Sequence, residues 1–379
     1  MLAVTGIGMV SPLGLDAVTS CAAARAGLRR AEELDDFFQA EEEGGEPVPI
    51  VGHRVPLVAH GLFGFARLAQ IAAAGLDDLK SRTPRLGEGR LGFILLAGSA
   101  VYSAAAIEQA RNSPDTDPLE LESLVAREKA LDERITEALL ATIVRRSALS
   151  VEPSLRATIR STCVGLVPAL VQAQEWLSSR ACDRCVIGAV DSLVDPSTLE
   201  ALLDLRMVKT AAIPVGMIPG EAAAFFVLEP ARGVTARGSE VGALLVAQTT
   251  ATGRPSFASN GTQADGEGAF AGAVAQTLAT SAGEPFRGPL VTNLNGDEHR
   301  ARVWSDMLLR LRPTNDITGV PVWLPCLAFG DTGAATGCIS IAMLAHAWAR
   351  RYSPAPRALV CLQDDAGGRA VIAVRAPSS

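Results

Sequence analysis

Aromatic residues are scarce, at 4% of 379 positions, so recognition by stacking on rings is not a general resource of this chain. A surplus of positive charge is also missing: 34 cations face 41 acids for a net charge of −7, with no basic stripe. That balance excludes the electrostatic footprint of a nucleic-acid binder. Paired cysteine spacing is absent as well. Cys21, Cys163, Cys182, Cys185, Cys326, Cys338 and Cys361 form an odd, scattered set without a secretory signal, so a reduced compartment, the cytoplasm, is expected. The single CxxC at Cys182 and Cys185 has no second pair or neighbouring histidines, and no metal site is expected from it. Nor does any stretch read as a membrane span. Thr332 to Ala349 carries no formal charge over 18 residues, but it is rich in small residues, contains His346 and ends at Arg350 and Arg351, the pattern of a core helix with a cationic C-terminus. The N-terminal LAVTGIGMVSPLG is too short and glycine-rich for a signal peptide's apolar core.

What the chain has is 48% apolar content spread over enough length for two domains or one large layered fold. Strand and helix patterns alternate. A first strand is predicted from Leu2 to Met9, closed by the turn Ser11-Pro12-Leu13-Gly14 before a helix near Asp16 to Ala26. The acidic run Glu41 to Glu43 with Gly44 and Gly45 reads as an exposed loop. Helices are predicted over Phe63 to Leu79, Leu119 to Val144 and Pro196 to Leu205, and strands over Leu91 to Leu96, Arg184 to Val190 and Ala222 to Leu228. From about residue 236 the order begins again: strand Val241 to Ala247, helix Ala269 to Ala279, strand Pro289 to Leu294, helix Glu298 to Leu311, helix Ala335 to Ala349, and strands Ala358 to Leu362 and Ala370 to Val374. This predicts an α/β architecture with buried sheets. Each half holds a strand, a small-residue turn and a long buried helix, at Cys163 and at Gly333, which suggests two repeated halves, 1–235 and 236–379.

The first of those turns carries a candidate nucleophile. Thr158 and Ile159 favour strand, while Leu166, Leu170, Ala173 and Leu177 recur at helical spacing. Ser161 and Thr162 stand at the junction where N-caps occur. A thiol at Cys163 would feel the positive end of the helix dipole, which favours thiolate. A small buried residue is the competing reading.

Several of these pieces resemble the β-ketoacyl synthases of the thiolase-like superfamily. VTGIGMVSPLG at Val4 to Gly14 resembles that family's opening strand and turn. STC at Ser161 to Cys163 falls where the family carries its nucleophile, and the interval to Ala189 matches without a gap. MIPGEAAAFFVLEP at Met217 to Pro230 is similar to the family's GEGAG-type segment and its trailing VLE. The resemblance implies a five-layer α-β-α-β-α fold built from two similar halves. It also implies a dimer, an acyl thioester on acyl carrier protein or coenzyme A as substrate, no further cofactor, and Cys163 as acyl acceptor. Glu221 would have a structural role beneath the site.

The family's helper groups are replaced. Where HGTxT is expected the chain reads VTNLNGDEH, with Asn295 at the first histidine position. Asp297 and His299 follow where the family's threonines meet the pantetheine arm. Where GHxxGAAG is expected it reads GDTGAATG, with Asp331 at the second histidine position and Cys326 five residues earlier in place of lysine. DDAGG at Asp364 to Gly368 leaves Ala366 in place of the gating phenylalanine. Asn295 can donate but cannot titrate. Asp331 could repel a developing oxyanion, act as a base, or cap the helix after Gly333. Around the pocket mouth the segment before the helix Phe63 to Leu79 offers a single cation, Arg67, for an acidic carrier. Two functions follow as expectations: an acyltransferase with altered or lost condensation, using a Cys163 thiolate, or a non-catalytic partner of an active synthase.

Overall fold

The computed structural model describes residues 1–39, 47–55, 57–114, 116–232, 234, 238–256, 268–280, 285–315 and 317–377. The acidic loop expected at Glu41 to Gly45 and the boundary at residue 235 lie outside the described residues.

In chain order the elements are β1 (Leu2–Val10), α1 (Ala17–Arg25), β2 (Glu32–Gln39), β3 (Val48–Gly52), α2 (Gly64–Arg82), β4 (Leu91–Ala97), α3 (Val101–Arg111), α4 (Pro118–Arg146), β5 (Arg156–Arg160), α5 (Leu166–Ser178), β6 (Arg184–Ser192), α6 (Pro196–Asp204) and β7 (Glu221–Pro230). They continue with β8 (Ala243–Thr252), α7 (Ala269–Ala279), β9 (Leu290–Thr292), α8 (Glu298–Leu311), β10 (Val322–Trp323), α9 (Pro325–Phe329), α10 (Ala335–Ala349), β11 (Arg357–Gln363) and β12 (Gly368–Arg375).

The strands form two series of the same design. One runs β5-β4-β6-β7-β1 and the other β10-β9-β11-β12-β8. In each, the first three strands are parallel and the last two antiparallel to their neighbours. Three residue pairs between β1 and β8, from Leu2↔Leu245 to Val4↔Ala243, join the series edge to edge. The central parallel strand β4 is apolar along its whole length and every residue of it is buried, as a strand covered on both faces requires.

The helices α5 and α10 touch strands of both series and form the middle layer, whereas α2 covers the first series and α7 the second. This is the five-layer α-β-α-β-α arrangement. A close approach makes the middle layer possible: a Cβ on Gly337 of α10 would lie 2.9 Å from Leu166 Cδ2 and 3.3 Å from the Cys163 carbonyl oxygen. The apolar residues of α5 at positions 166, 170, 173 and 177 are buried at that seam. In α10 twelve of fifteen residues are buried, which explains a helix without an amphipathic stripe. Among the described residues no helix is long and apolar enough to cross a membrane.

Candidate active site

Cys163 opens a short 3-10 turn, Cys163–Gly165, that leads from β5 into α5. Thr162 precedes it with extended backbone, but its hydroxyl does not cap the helix. It donates instead to Asp364 Oδ2 at 2.5 Å, tying the turn to the β11–β12 hairpin. The thiol is only 3% exposed. It lies 3.5 Å from the Gln363 carbonyl oxygen, to which it donates, and Asn293 Nδ2 approaches the sulfur at 3.4 Å. Asn293 sits just past β9 and is locked in place. Its amide also donates to Gln363 O at 2.7 Å, and its Oδ1 accepts from Gln363 N at 3.0 Å.

The effect of the helix start is opposed at this thiol. Burial pushes the Cys163 thiol well above its ordinary value; the Arg300 charge opposes that shift, and the carboxylates of Asp364, Asp331 and Asp365 add to it. Desolvation and three acids outweigh one cation and the dipole of one helix end. Position at the helix start favours thiolate, and burial of the turn works against it.

Behind Asn293 lies an arginine that the sequence reading does not single out. Arg300 lies in the first turn of α8 and is 3% exposed. Its Nη1 donates to Asp331 Oδ2 at 2.8 Å and to Asn293 O at 3.2 Å. Its Nη2 and Nε reach Asp365 at 2.6 and 3.3 Å. Asp365 also accepts from Tyr102 Oη at 2.9 Å. Burial by itself would push the Asp365 carboxyl up, yet the Arg300 charge, its hydrogen bonds and the Tyr102 hydroxyl hold it below the usual carboxylate range. Tyr102, buried beside these acids, is pushed well up and stays a neutral donor.

Asp331 is committed on both oxygens. Oδ1 accepts from Gly333 N at 3.0 Å, and Oδ2 accepts from Asn295 Nδ2 at 2.7 Å besides Arg300. Gly333 has φ of +50°, and a Cβ there would lie 2.1 Å from Asp191 Oδ2, so only glycine fits this turn. Asn295 in turn accepts from Asp297 N at 3.0 Å. Thus Asn295 and Asp331 do meet: the Asn295 amide donates to Asp331, and their oxygens otherwise accept from backbone N–H groups and from Arg300. No hydrogen bond joins either of them to Cys163 among the described residues. Cys326 is buried and its thiol pushed well up, first by burial and then by Asp331.

The remaining candidates face elsewhere. Asp297 is the N-cap of α8, accepting from Arg300 N at 2.9 Å. With His299, Glu298, Arg302, Arg206 and Met207 it lines a cleft of about 890 Å³. So α8 turns Arg300 inward and His299 toward the cleft. Ala366 is exposed at the tip of the β11–β12 turn, where Gly367 N donates to Asp364 O; the residues of this hairpin that reach Cys163 are Gln363 and Asp364. Glu221, fully buried at the start of β7, accepts from Arg67 at 2.6 and 2.7 Å, from Val55 N at 2.8 Å and from Ser192 Oγ at 2.7 Å. Arg67 is therefore no cation at a pocket mouth: it is 4% exposed and spent on Glu221. An amphipathic helix can turn one long cation inward when a carboxylate awaits it.

One signal for Arg300 exists in the sequence. The buried residues of α8 are Arg300, Val303, Trp304, Met307 and Leu311, spaced as an apolar stripe is spaced, with the arginine in its first place. Asn293, Gln363, Asp365 and Tyr102 carry no comparable mark.

Comparison with known proteins agrees with this architecture. No family model matches the sequence, and no curated protein matches it. Solved structures do. An oxazolomycin ketosynthase domain from Streptomyces albus superposes with a TM-score of 0.73 at 14% identity, over 100% of this chain and 76% of that one. The ishigamide ketosynthase/chain length factor gives 0.68 at 20% identity, over 100% and 99%. A type II polyketide ketosynthase, solved in complex with its acyl-carrier protein and bound to the hexaketide, gives 0.69 at 15% identity, again over 100% and 99%. Ten strands in two matching series, a cysteine at the head of the middle-layer helix and these superpositions together define the thiolase-like fold of the ketosynthases.

Proposed function

We propose that this chain is a non-catalytic, ketosynthase-like subunit that works by pairing with a second chain of the same fold. The observation that carries this reading is Arg300: a buried guanidinium, held by Asp331 and Asp365, stands behind Asn293, which touches Cys163, and engages the carboxylate that replaces the second histidine, where a condensing enzyme needs titratable helpers. Burial and the neighbouring acids push the thiol up, and Asn295 and Asp331 are hydrogen-bonded to each other, with Asp331 held by Arg300 as well. One of the structural neighbours is itself a ketosynthase/chain length factor, which makes a pairing role familiar for this fold.

The exposed edge of one strand supports this reading. β5 is the end strand of its series and half-buried along its whole length, so its outer edge is a template for strand pairing. Beside it lies a groove of about 520 Å³ lined by Ser161, Val164, Val167, Pro168 and Val171 against Thr250 and Thr252. Val171 is 43% exposed there.

The experiment is intact-mass analysis after incubation with acyl-carrier-protein and coenzyme A thioesters, with sedimentation of the chain alone and mixed with a histidine-bearing ketosynthase. The expected result is no adduct at Cys163, and a dimer that Ile159→Lys in β5 dissociates. A stoichiometric acyl adduct on Cys163 would favour the second reading, acyl acceptance, which has the Asn293 amide beside the sulfur in its support.

A further inference from the structure

A cavity of about 530 Å³ opens on the far edge of the second strand series, remote in sequence from the Cys163 turn. It is bounded by α1 and the loop after it, by Trp323 of β10, by α9 and by Tyr352. Its volume falls within the range of about 300–1,000 Å³ usual for small-molecule sites. Its walls are apolar: Trp323, Leu324, Leu327 and Met343, with Leu28 and Leu327 left 56% and 47% exposed. Two cations stand at its rim, Arg25 and Arg29. Among the described residues neither has a carboxylate partner. Arg25 is nonetheless held in place, its guanidinium 4.1 Å above the Tyr352 ring.

As the last-turn residue of α1, Arg25 already suits the negative helix end, which accounts for one cation on this surface. It does not account for Arg29, which lies beyond the helix, nor for the exposed leucines that both arginines adjoin. Apolar walls with two uncompensated guanidinium groups at the rim complement a ligand with an apolar body and one anionic head. We propose that this cavity binds an amphipathic carboxylate of the fatty-acid class, with the chain against Trp323, Leu327 and Met343 and the carboxylate between Arg25 and Arg29. The proposal stands apart from the reading of the Cys163 region, since no residue is shared.

The test is calorimetric titration of the full chain with laurate below its micellar concentration, and with dodecyltrimethylammonium as a cation of matched tail. One saturable laurate site per chain is expected, with no binding of the cation. The double variant Arg25→Gln/Arg29→Gln should weaken laurate about tenfold or more, and Leu327→Glu should abolish it, with unchanged thermal melts showing that both variants fold. Absence of saturable laurate binding would overturn the proposal. So would equal binding of the cation, or laurate binding indifferent to both variants. Sedimentation of wild type and Leu327→Glu completes the test: a dimer that the variant dissociates, in a protein that binds no laurate, assigns the face to a second copy and overturns it as well.

Discussion

Two buried arginines organise two different regions. Arg67 meets a single carboxylate, Glu221, through two hydrogen bonds, and every other approach to that carboxylate is a neutral donor, Val55 N or Ser192 Oγ. Arg300 meets two carboxylates, Asp331 and Asp365, with Asp364 close enough to act on the same thiol. Counted by hydrogen-bonded partners, the first cluster pairs one cation with one anion and locks β7 to α2. The second carries one more negative charge than positive and lies where chemistry would have to occur. Balance suits a structural joint, and surplus acid beside a thiol suits a cysteine that stays protonated. The same two residue types therefore join β7 to α2 in one place and, in the other, place surplus acid near a buried thiol.

The largest effect is expected at the balanced pair. Glu221→Gln leaves Arg67 charged and buried without a counterion, and removing one partner of such a pair costs about 3–5 kcal/mol. Chemical denaturation of the variant should show that loss, or soluble protein should fail to accumulate. A cost below about 1 kcal/mol would mean that the Arg67–Glu221 joint is not what it appears from its geometry.

Cys163 supplies the next test. With its thiol pushed well up by burial and surplus acid, alkylation of the native protein by iodoacetamide at pH 7 should be slower than that of an unperturbed thiol by more than about tenfold. The rate should climb as pH rises through 9 and beyond, as thiolate forms. Peptide mapping reads Cys163 separately from the other six cysteines, all of them buried too. Rapid modification at neutral pH would remove the distinction between the two regions.

Much of this was legible from sequence, and the exceptions have physical causes. The periodic segments α8 and α10 have the bounds their patterns predict, Glu298–Leu311 and Ala335–Ala349, and the fold that the motifs at Val4, Cys163 and Gly220 imply is the one present. The hairpin β2–β3 was hidden because EELDDFFQ alternates poorly and reads as a charged loop. Helix α3 was hidden because it buries only Tyr102 and Ala106, and β10 because two residues make no pattern. At the site, motif positions locate Cys163, Asn295 and Asp331. They do not reveal Arg300, because a buried arginine looks like any other arginine until its carboxylates converge from the β11–β12 turn and from the turn before α10.

A third carboxylate extends the comparison. Asp191, at the end of β6, accepts from Ser192 N and Ala334 N at 2.9 Å each and has no arginine in hydrogen-bond contact among the described residues. Burial pushes its carboxyl up to about 6, against the backbone donors and Arg160. A folded-state value above the unfolded one means that its contribution to stability is fully present below about pH 4 and is lost as pH rises through about 6. The Asp191→Asn variant should therefore lose this dependence, gaining roughly 1–2 kcal/mol on wild type between pH 4 and pH 7. His53, whose value is lowered to about 4 by burial and Arg29, acts in the opposite direction over part of that window, so the difference between the two proteins is the quantity to measure. A difference that does not change with pH would mean that the two backbone donors alone compensate the buried charge.

The smallest effect is expected where the charge is in surplus. Asp331→Asn leaves Arg300 with Asp365, a one-to-one pair like Arg67 with Glu221. With its oxygen in the Oδ2 position the new side chain keeps the bonds from Arg300 and Asn295 and loses the one from Gly333 N, and one net hydrogen bond is worth about 1 kcal/mol. Relief of the uncompensated acid offsets that loss, so denaturation at pH 7 should place the variant within about 1 kcal/mol of wild type. Alkylation of Cys163 should become faster at a given pH, because one of the three acids that push the thiol up is gone. A loss as large as that of Glu221→Gln would show that Asp331 is not surplus, and the two arginine clusters would then have to be regarded as one kind of joint.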